Sequence, residues 1–513
     1  MNRGHRLFKD AGAIAAFSVL TAVTGLLVDV LLASRFGLGG HTDAFYAAYT
    51  IPFLFSYIAF SVGQSTLVPI FSRYLAKDTG EDLWSFFSTF INIALVLSVF
   101  VTLAGFALAP AIASLVAPGL DAETAALAAG LCRLLFLIVG LSALAEVFRA
   151  FLYADGAFVL ASSSNFIRNS AAAASIFLLA GHMGIRSAAY GYVAGYGLQA
   201  LLLGARVVSR YRPRYRLVID RNAWGLRESG KIGAAQVAGF LMLQAVTLAE
   251  RMIGSFLPAG SITALSYASR ITFMAVETFS GSIATSILPS MSRAVAGGER
   301  AETARLFDRS FRFSLLVFLP MTAFVVVLKT PLIELLYQRG SFTAGATALT
   351  ASVFMLYSLS LVFQGFNRLI HNYLFAEMNP RGSLTLFITL AAVTVTFDLL
   401  LVRPFGIAAL PLGYLIGSGA AFLMGYGLFV SKLGLPKGGE PAAFAGKVLL
   451  LSLIFGGILY KVNGLLGLAD GWGRLLNLSF TAVAAAAVAL VAARILKLKE
   501  IAWLGILFGR KSS

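Results

Sequence analysis

Charged side chains interrupt stretches that are otherwise apolar enough to cross a membrane, and they are the residues best placed to do chemistry. The stretch LSYASRITFMAVETF, residues 265–279, contains Arg270 and Glu277. An arginine at the centre of a membrane helix costs about 2.5–3.5 kcal/mol on insertion scales. Lipid does not compensate this cost, so such charges are expected to face an aqueous cavity or one another.

Two arginines lie too deep to reach an interface. At a rise of about 1.5 Å per residue, Arg168 lies roughly 16 Å into its predicted span and Arg270 roughly 12 Å into its own. Asn165 precedes Arg168 by one helical turn, so the two residues form a polar strip on one face. Four other charged residues lie near predicted helix ends, where a long side chain can instead extend to the headgroups. They are Arg149, Glu250, Arg251 and Arg368.

Guanidinium groups at such depth suit a phosphate, which they can bind through two parallel hydrogen bonds. The preferred interpretation is therefore that Arg168 and Arg270 line a cavity for an anionic substrate. The alternative is an ion pair within the protein, for example between Arg270 and either Asp29 or Glu146. No catalytic constellation accompanies these charges, because the four histidines are far apart and no GxxxxGK[ST] motif is present.

The composition is that of an integral membrane protein. Apolar residues make up 58% and charged residues 12% of the 513 residues, whereas a soluble domain has about 25% charged residues. The net charge of +17 comes from basic residues in short loops, where they set topology, so no nucleic-acid partner is expected. The single cysteine, Cys132, excludes an intrachain disulfide and multi-cysteine metal sites.

Hydropathy predicts an all-α polytopic protein with about fourteen spanning helices of roughly 20 or more residues each. They lie near 11–34, 44–69, 84–112, 124–149, 157–181, 186–208, 230–257, 262–289, 310–335, 345–373, 382–402, 406–432, 442–462 and 472–495. The loops rich in Lys and Arg, including 206–231, fall on the same side as both ends of the chain. The positive-inside rule therefore places both termini in the cytoplasm.

The sequence repeats itself at an offset of 220 residues. Matching pairs include Pro69 with Pro289 and Arg73 with Arg293. Because the offset contains an even number of spans, the repeats should be parallel lobes. The predicted organisation is an N-terminal lobe (1–215), a C-terminal lobe (216–435) and two extra spans with a cytoplasmic tail (436–513). Two such lobes are typical of a transporter that works by alternating access.

Four motifs give the chain a resemblance to the MurJ/MviN family of lipid II flippases, within the superfamily that also contains the MATE drug exporters: RFGLGGHTDAFYAAYTIP (35–52), SYASRITF (266–273), ILPSMSR (287–293) and LLYQRGSFTA (335–344). The resemblance implies a bilobal flippase of the bacterial inner membrane with a cationic cavity. Its implied substrate is an undecaprenyl-pyrophosphate-linked glycopeptide, and the last two spans would help to form a groove for the lipid tail. By motif, Asp43 matches a functional acidic residue and Arg270 a cavity arginine.

The chain also departs from the family pattern. Span 1 has Ala22 and Val28 where the family has arginines, and an arginine pair in span 2 is replaced by Ser56 and Tyr57. An acidic residue expected one turn after Arg270 is replaced by Phe273. A related lipid-linked oligosaccharide, such as an O-antigen or exopolysaccharide precursor, is therefore an alternative cargo.

The sequence thus predicts a non-enzymatic flippase for a polyprenyl-pyrophosphate-linked saccharide, working with membrane lipids around it and as a monomer. Arg270 and Arg168 would hold the pyrophosphate, with Asn165 beside Arg168. Three acids would position or balance the arginines: Asp29, Asp43 and Glu277. No metal or organic cofactor is expected, although Asp398 could couple transport to a monovalent ion. A MATE-like drug exporter that uses Asp398 in this way, and a membrane scaffold, are the rival functions.

Overall fold

The chain is helical wherever the structure describes regular elements. A computed structural model describes residues 3–76, 80–220, 241, 244–377, 379–433, 440–466, 473, 481 and 483, and the elements in these ranges are helices. Within this part of the chain, seven helices are long and apolar enough to cross a membrane, or eight if one bent pair forms a single span. The predicted all-α polytopic fold is confirmed. Most of the predicted span 472–495 and most of the first part of span 230–257 lie outside the described residues.

By internal contacts, the chain divides into two compact units. Unit 1 is Met1–Thr263 with Gly340–Phe342, and unit 2 is Ala264–Arg339 with Thr343–Ser513. This grouping differs from the lobes suggested by the repeat. Residues after 215 join unit 1, where Ser255 is hydrogen-bonded to Gly119 and Thr263 to Asp43. The lobe boundaries at 215 and 435 describe the sequence repeat and stay a prediction.

Unit 1 is built mainly from long helices. They are α1 (Arg3–Phe36), α2 (Gly40–Val62), α3 (Val68–Ala76), α4 (Gly80–Val116), α5 (Ala122–Leu135), α6 (Leu137–Ala154), α7 (Phe158–Met183), α8 (Arg186–Tyr211) and α9 (residues 244–254). A π-helical turn, Gly63–Leu67, connects α2 directly to α3. Such turns are frequent at functional sites because they redirect the side chains that follow.

Aromatic packing fixes the interior of unit 1. The buried ring of Phe71 on α3 meets Phe86 on α4 and Phe151 on α6 edge to face, with centroid separations of 5.2 and 5.6 Å. Elsewhere α8 lies directly on α7, because a Cβ atom added at Gly195 would come within 2.5 Å of the carbonyl oxygen of Arg168. In a membrane this close packing by dispersion holds helices together, since lipid supplies no hydrophobic driving force between them.

Unit 2 contains the remaining described helices. They are α10 (Ser261–Ala296, beginning in unit 1), α11 (Arg300–Tyr337), α12 (Ala344–Leu359), α13 (Leu361–Ala376), α14 (Pro380–Phe405), α15 (Ala409–Leu433) and α16 (Glu440–Leu466). In α11, the non-helical φ of −102° and ψ of 16° at Leu328 mark a kink three residues before Pro331, whose ring cannot fit against an undistorted preceding turn. Helices α12 and α13 bend by 44° at Ser360, so the predicted span 345–373 is a broken helix.

Candidate functional site

Arg168 on α7 is held in one orientation by neutral side chains. Its Nε and Nη2 donate to Oδ1 of Asn169 at 3.3 and 3.2 Å, and its guanidinium carbon lies 4.9 Å from the ring centroid of Tyr196. Asn169 is itself fixed, because its Nδ2 donates to the carbonyl oxygen of Thr21 at 3.1 Å. Arg168 is half-buried and forms no ion pair with a described residue. No direct ion pair with a described residue therefore balances its charge, and the Glu146 carboxyl group acts on it only through space.

Asn165 belongs to a different group of residues from Arg168. Its Oδ1 accepts hydrogen bonds from Nη2 of Arg149 at 2.9 Å and from Nε2 of Gln199 at 3.3 Å. Nη1 of Arg149 also pairs with Oε1 of Glu146 at 3.0 Å. The residues Glu146, Arg149, Asn165 and Gln199 thus form a buried network between α6, α7 and α8. The neighbour that contacts Arg168 is Asn169, which is not part of the predicted polar strip of Asn165 and Arg168.

The alternative that charges near helix ends extend to the headgroups does not hold for two arginines. Arg149 is only 1% exposed, because Glu146 and Asn165 bind it inside unit 1. Arg251 is 9% exposed, and its Nη1 donates to the carbonyl oxygen of Ile262 at 2.8 Å. In both cases, partners inside the protein bind the guanidinium.

A row of aromatic rings runs along α2, and sequence reasoning missed it. Its members recur mostly every four residues, which places them on one helix face: Phe45, Tyr49, Phe53, Tyr57 and Phe60. Successive centroids lie 5.8, 5.1, 6.3 and 5.8 Å apart. The ring of Tyr192 on α8 approaches that of Tyr49 to 4.9 Å between centroids. The four-residue spacing of these aromatic residues in the sequence could have predicted the row.

Asp29 and Asp43 bind partners other than Arg168. Asp29 is 7% exposed, and its Oδ1 accepts a hydrogen bond from the hydroxyl of Tyr46 at 3.1 Å. Asp43, in the first turn of α2, accepts bonds from the backbone N of Gly260 at 2.6 Å and from N and Oγ1 of Thr263 at 2.8 and 2.6 Å. Its carboxylate therefore caps the N-terminus of α10, where backbone N–H groups and the helix dipole favour an anion.

Two further contacts join helix ends in unit 1. The backbone N of Gly119, after α4, donates to Oγ of Ser255, after α9, at 2.9 Å. The backbone N of Ser341, after α11, donates to the carbonyl oxygen of Ser34, in α1, at 2.8 Å. Gly340 has φ of +57° and lies against the Ser34 backbone, so a side chain there would be both strained and obstructed. We call the contacts made by Asp43, Gly119 and Ser341 the helix-end cluster.

In unit 2, Arg270 and Glu277 lie on one face of α10. Both are exposed, as is the intervening Phe273, at i+3 from Arg270. Glu277 Oε1 lies 3.5 Å from Nη1 of Arg368 on α13, and the ring of Phe273 meets Tyr414 edge to face at 5.8 Å. Exposed charges in the middle of an apolar helix are expected to contact water rather than lipid.

Asp398 lies between two closely packed helices of unit 2. It is fully buried in α14, and a Cβ atom added at Gly413 of α15 would collide with its Oδ1. A Cβ atom at Gly417 would lie 2.9 Å from the carbonyl oxygen of Leu390. Among the described residues, no group of three or more His, Cys, Asp or Glu side chains is arranged to hold a metal ion. A role for Asp398 in ion coupling stays a prediction.

Comparison with known proteins identifies the family. The family model described as Lipid II flippase MurJ matches residues 32–472. The chain belongs to the MurJ family. A relative from Bdellovibrio bacteriovorus, named as a probable lipid II flippase MurJ, is 26% identical over 434 residues, covering 82% of each chain. A lipid II flippase MurJ from Burkholderia cenocepacia is 27% identical over 429 residues, covering 81% of each. The predicted membership of this transporter family is confirmed.

Solved structures agree on the fold. A lipid II flippase MurJ in an inward closed conformation matches with a TM-score of 0.77 at 22% identity, covering 94% of this chain and 99% of that one. An inward-facing multidrug MATE transporter of the MOP superfamily matches with a TM-score of 0.67 at 17% identity, covering 81% and 95%. The MurJ-family chain is therefore a multi-pass membrane protein with the fold that flippases and drug exporters of this superfamily share.

Proposed function

We propose that this chain is a flippase that carries lipid II, a polyprenyl-pyrophosphate-linked glycopeptide, from the inner to the outer leaflet by alternating access. The observation that carries the proposal is the state of Arg168. Neutral partners orient this guanidinium without neutralising it, inside a family whose named relatives are lipid II flippases. A pyrophosphate provides the negative charge that such a group can bind through paired hydrogen bonds.

Arg270 is proposed as the second pyrophosphate ligand. It lies nine residues into α10, roughly 14 Å along the helix axis, and is exposed there together with Glu277. Glu277 would balance Arg270 when substrate is absent, and its pairing with Arg368 at 3.5 Å is weak enough to exchange, since both side chains are about half exposed. Asn165 is proposed to act indirectly, because the buried network to which it belongs supports α7 beneath Arg168.

The aromatic row is proposed to face the saccharide. Tyr49, Phe53 and Tyr57 are not buried, and Tyr57 stands where the family pattern has an arginine. Tyrosine combines an apolar ring face with a hydroxyl that can hydrogen-bond, a pairing suited to the alternating apolar and polar surface of sugars. The departure from the family pattern would thus exchange charge for stacking without removing the binding surface.

The helix-end cluster is proposed to close the outer side of the transporter. If both termini are cytoplasmic, the ends of α1, α4, α9 and α11 all point outward. Release of cargo into the outer leaflet would then require the bonds of Asp43 to Gly260 and Thr263 to break. In this proposal Asp43 controls access rather than touching the substrate, and Asp29 supports the same region through Tyr46.

The transporter is proposed to act as a monomer, without a nucleic-acid partner or an organic cofactor. A monovalent ion bound near Asp398 would be the means of coupling, if transport requires one. The MATE neighbours make cation-coupled drug export the second candidate, with the same acid in the coupling role. Another lipid-linked oligosaccharide as cargo is the nearest variant of the main proposal.

Purified protein in vesicles separates these functions. Fluorescent lipid II in the inner leaflet should become accessible to an external quencher with the wild-type chain, and Arg270→Ala should reduce this rate at least about ten-fold if one charge-assisted interaction is lost. Arg300→Ala, at the start of α11, is the matched control and should flip normally. Normal flipping by Arg270→Ala would refute the assignment. Drug uptake driven by a cation gradient, without lipid movement, would favour the exporter.

A further inference from the structure

The segment that follows α8 is bound along the beginning of α4. We call residues 212–220 the strap. Asn92 Nδ2 donates to the carbonyl oxygens of Arg216 and Val218 at 3.0 and 2.9 Å. In return, the backbone N groups of Arg216 and Asp220 donate to Ser88 Oγ and Thr89 Oγ1, each at 3.1 Å. Three polar side chains of α4 therefore fix the main chain of a segment that has no helical structure of its own.

The surface of α4 shows the depth at which the strap lies. The large apolar side chains that α4 exposes begin at Leu95 and end at Leu115. This interval corresponds to about 30 Å of helix, the thickness of the hydrocarbon core. Asn92 precedes Leu95 by one turn, so the strap crosses α4 at the level of the lipid headgroups.

The strap and the end of α8 present two kinds of exposed side chain. The arginines recur at every second residue near the end of α8 and are all exposed: Arg210, Arg212, Arg214 and Arg216. Directly after them, Leu217 is 87%, Val218 51% and Ile219 45% exposed. In water such an apolar triplet would be unfavourable, whereas at a bilayer surface it can enter the acyl region while arginines bind phosphates.

We propose that the strap is a binding site for anionic phospholipid headgroups at the leaflet facing the beginning of α4. Its arginines would contact lipid phosphates, and Leu217 to Ile219 would insert between the acyl chains. Each arginine near an anionic surface contributes on the order of 1 kcal/mol, so several acting together give a clear preference over neutral lipid. The proposal concerns resident membrane lipid and holds whichever cargo the transporter carries.

A single fluorophore on the strap tests this site in the full-length protein. Cys132 is buried and is replaced by alanine, and Leu217→Cys then takes an environment-sensitive label. After reconstitution into phosphatidylcholine vesicles with or without phosphatidylglycerol, quenching by doxyl-labelled lipid is measured. We expect at least about three-fold stronger quenching with phosphatidylglycerol, and a loss of this difference in the Arg212→Gln, Arg214→Gln double variant.

Two controls separate binding to the lipid surface from a general effect of net charge and from binding of free phosphate. The Arg300→Gln, Arg305→Gln double variant removes the same charge from exposed positions on α11 and should keep the lipid preference. Inorganic phosphate at matched ionic strength should not displace the strap, because it offers no apolar phase to Val218 and Ile219. The proposal would be overturned by equal quenching in both vesicle types or by release of the strap by inorganic phosphate. It would also be overturned if a monodisperse strap variant kept the wild-type difference in quenching.

Discussion

Asp43 in the first turn of α2 is bonded to Thr263 in the first turn of α10, at Oδ1 distances of 2.8 Å to the backbone N and 2.6 Å to Oγ1. The two residues are separated by 220 positions, which is the offset of the sequence repeat. Equivalent positions of the two sequence repeats are therefore hydrogen-bonded to each other, with Thr263 as donor and Asp43 as acceptor. The Asp43 carboxylate thus accepts hydrogen bonds from two backbone N–H groups at the start of α10. Replacing Asp43 should therefore weaken the helix-end cluster.

Asp43→Asn is expected to expose the first turn of α10 to a membrane-impermeant reagent. The amide has one acceptor oxygen instead of two and no charge for the helix dipole, so at least one of three bonds is lost. In a Cys132→Ala background, the buried residue Ala264 is changed to cysteine, and its modification by a membrane-impermeant thiol reagent is timed. We expect a several-fold faster reaction with Asp43→Asn. Asp308→Asn, on α11, should leave the rate unchanged, and an equal rate in all three proteins would contradict the closing role.

Arg168→Lys is expected to reduce flipping about ten-fold while leaving the protein folded. Lysine keeps the charge but cannot donate two bonds to Asn169 or present a planar group to Tyr196 and phosphate. The measurement is the flipping rate against lipid II concentration, together with the melting temperature. Arg186→Lys, at the exposed start of α8, is the control. A normal rate in Arg168→Lys would show that charge alone suffices and that Asn169 does not matter.

Arg149→Met is expected to destabilise the protein by about 3–5 kcal/mol, because it leaves Glu146 buried without its partner charge. The double variant Glu146→Gln, Arg149→Met should recover most of that loss, since neither remaining side chain carries a charge. Melting in detergent, followed by intrinsic fluorescence, compares the single variants with the double variant. If Arg149→Met melts like wild type, the buried network does not contribute to the stability of unit 1.

Gly413→Ala is expected to destabilise unit 2 by about 1–3 kcal/mol through overpacking. The added methyl group would collide with the Asp398 carboxylate and approach the Thr394 carbonyl oxygen to 3.0 Å, so α14 and α15 would have to separate. Gly427→Ala on the same helix meets nothing within 4 Å and is the matched control. Melting temperatures of the two variants give the comparison, and equal values would show that the close approach of these helices is not required.

The amino-acid sequence was sufficient for the class of protein, the all-α polytopic fold and the helices that carry the key arginines. Burial of apolar residues and the cost of a charge in lipid are local properties, so hydropathy and helix rise predict where α7 and α10 lie and how deep Arg168 and Arg270 are within them. The alternating tyrosines and phenylalanines of α2 carry a comparable local signal through their spacing.

The partners of these charges were decided only by the tertiary structure. Asn165 and Asn169 both lie within one turn of Arg168, and only the packing of α6 and α8 directs the first to Arg149 and leaves the second for Arg168. The hydrogen-bond partners of Asp43 are more than 200 residues away in the sequence. Asn92, which binds the strap, precedes it by more than 120 residues. A hydrogen bond depends on positions to within a fraction of an ångström, and the order of residues along a chain does not contain distances between separate helices.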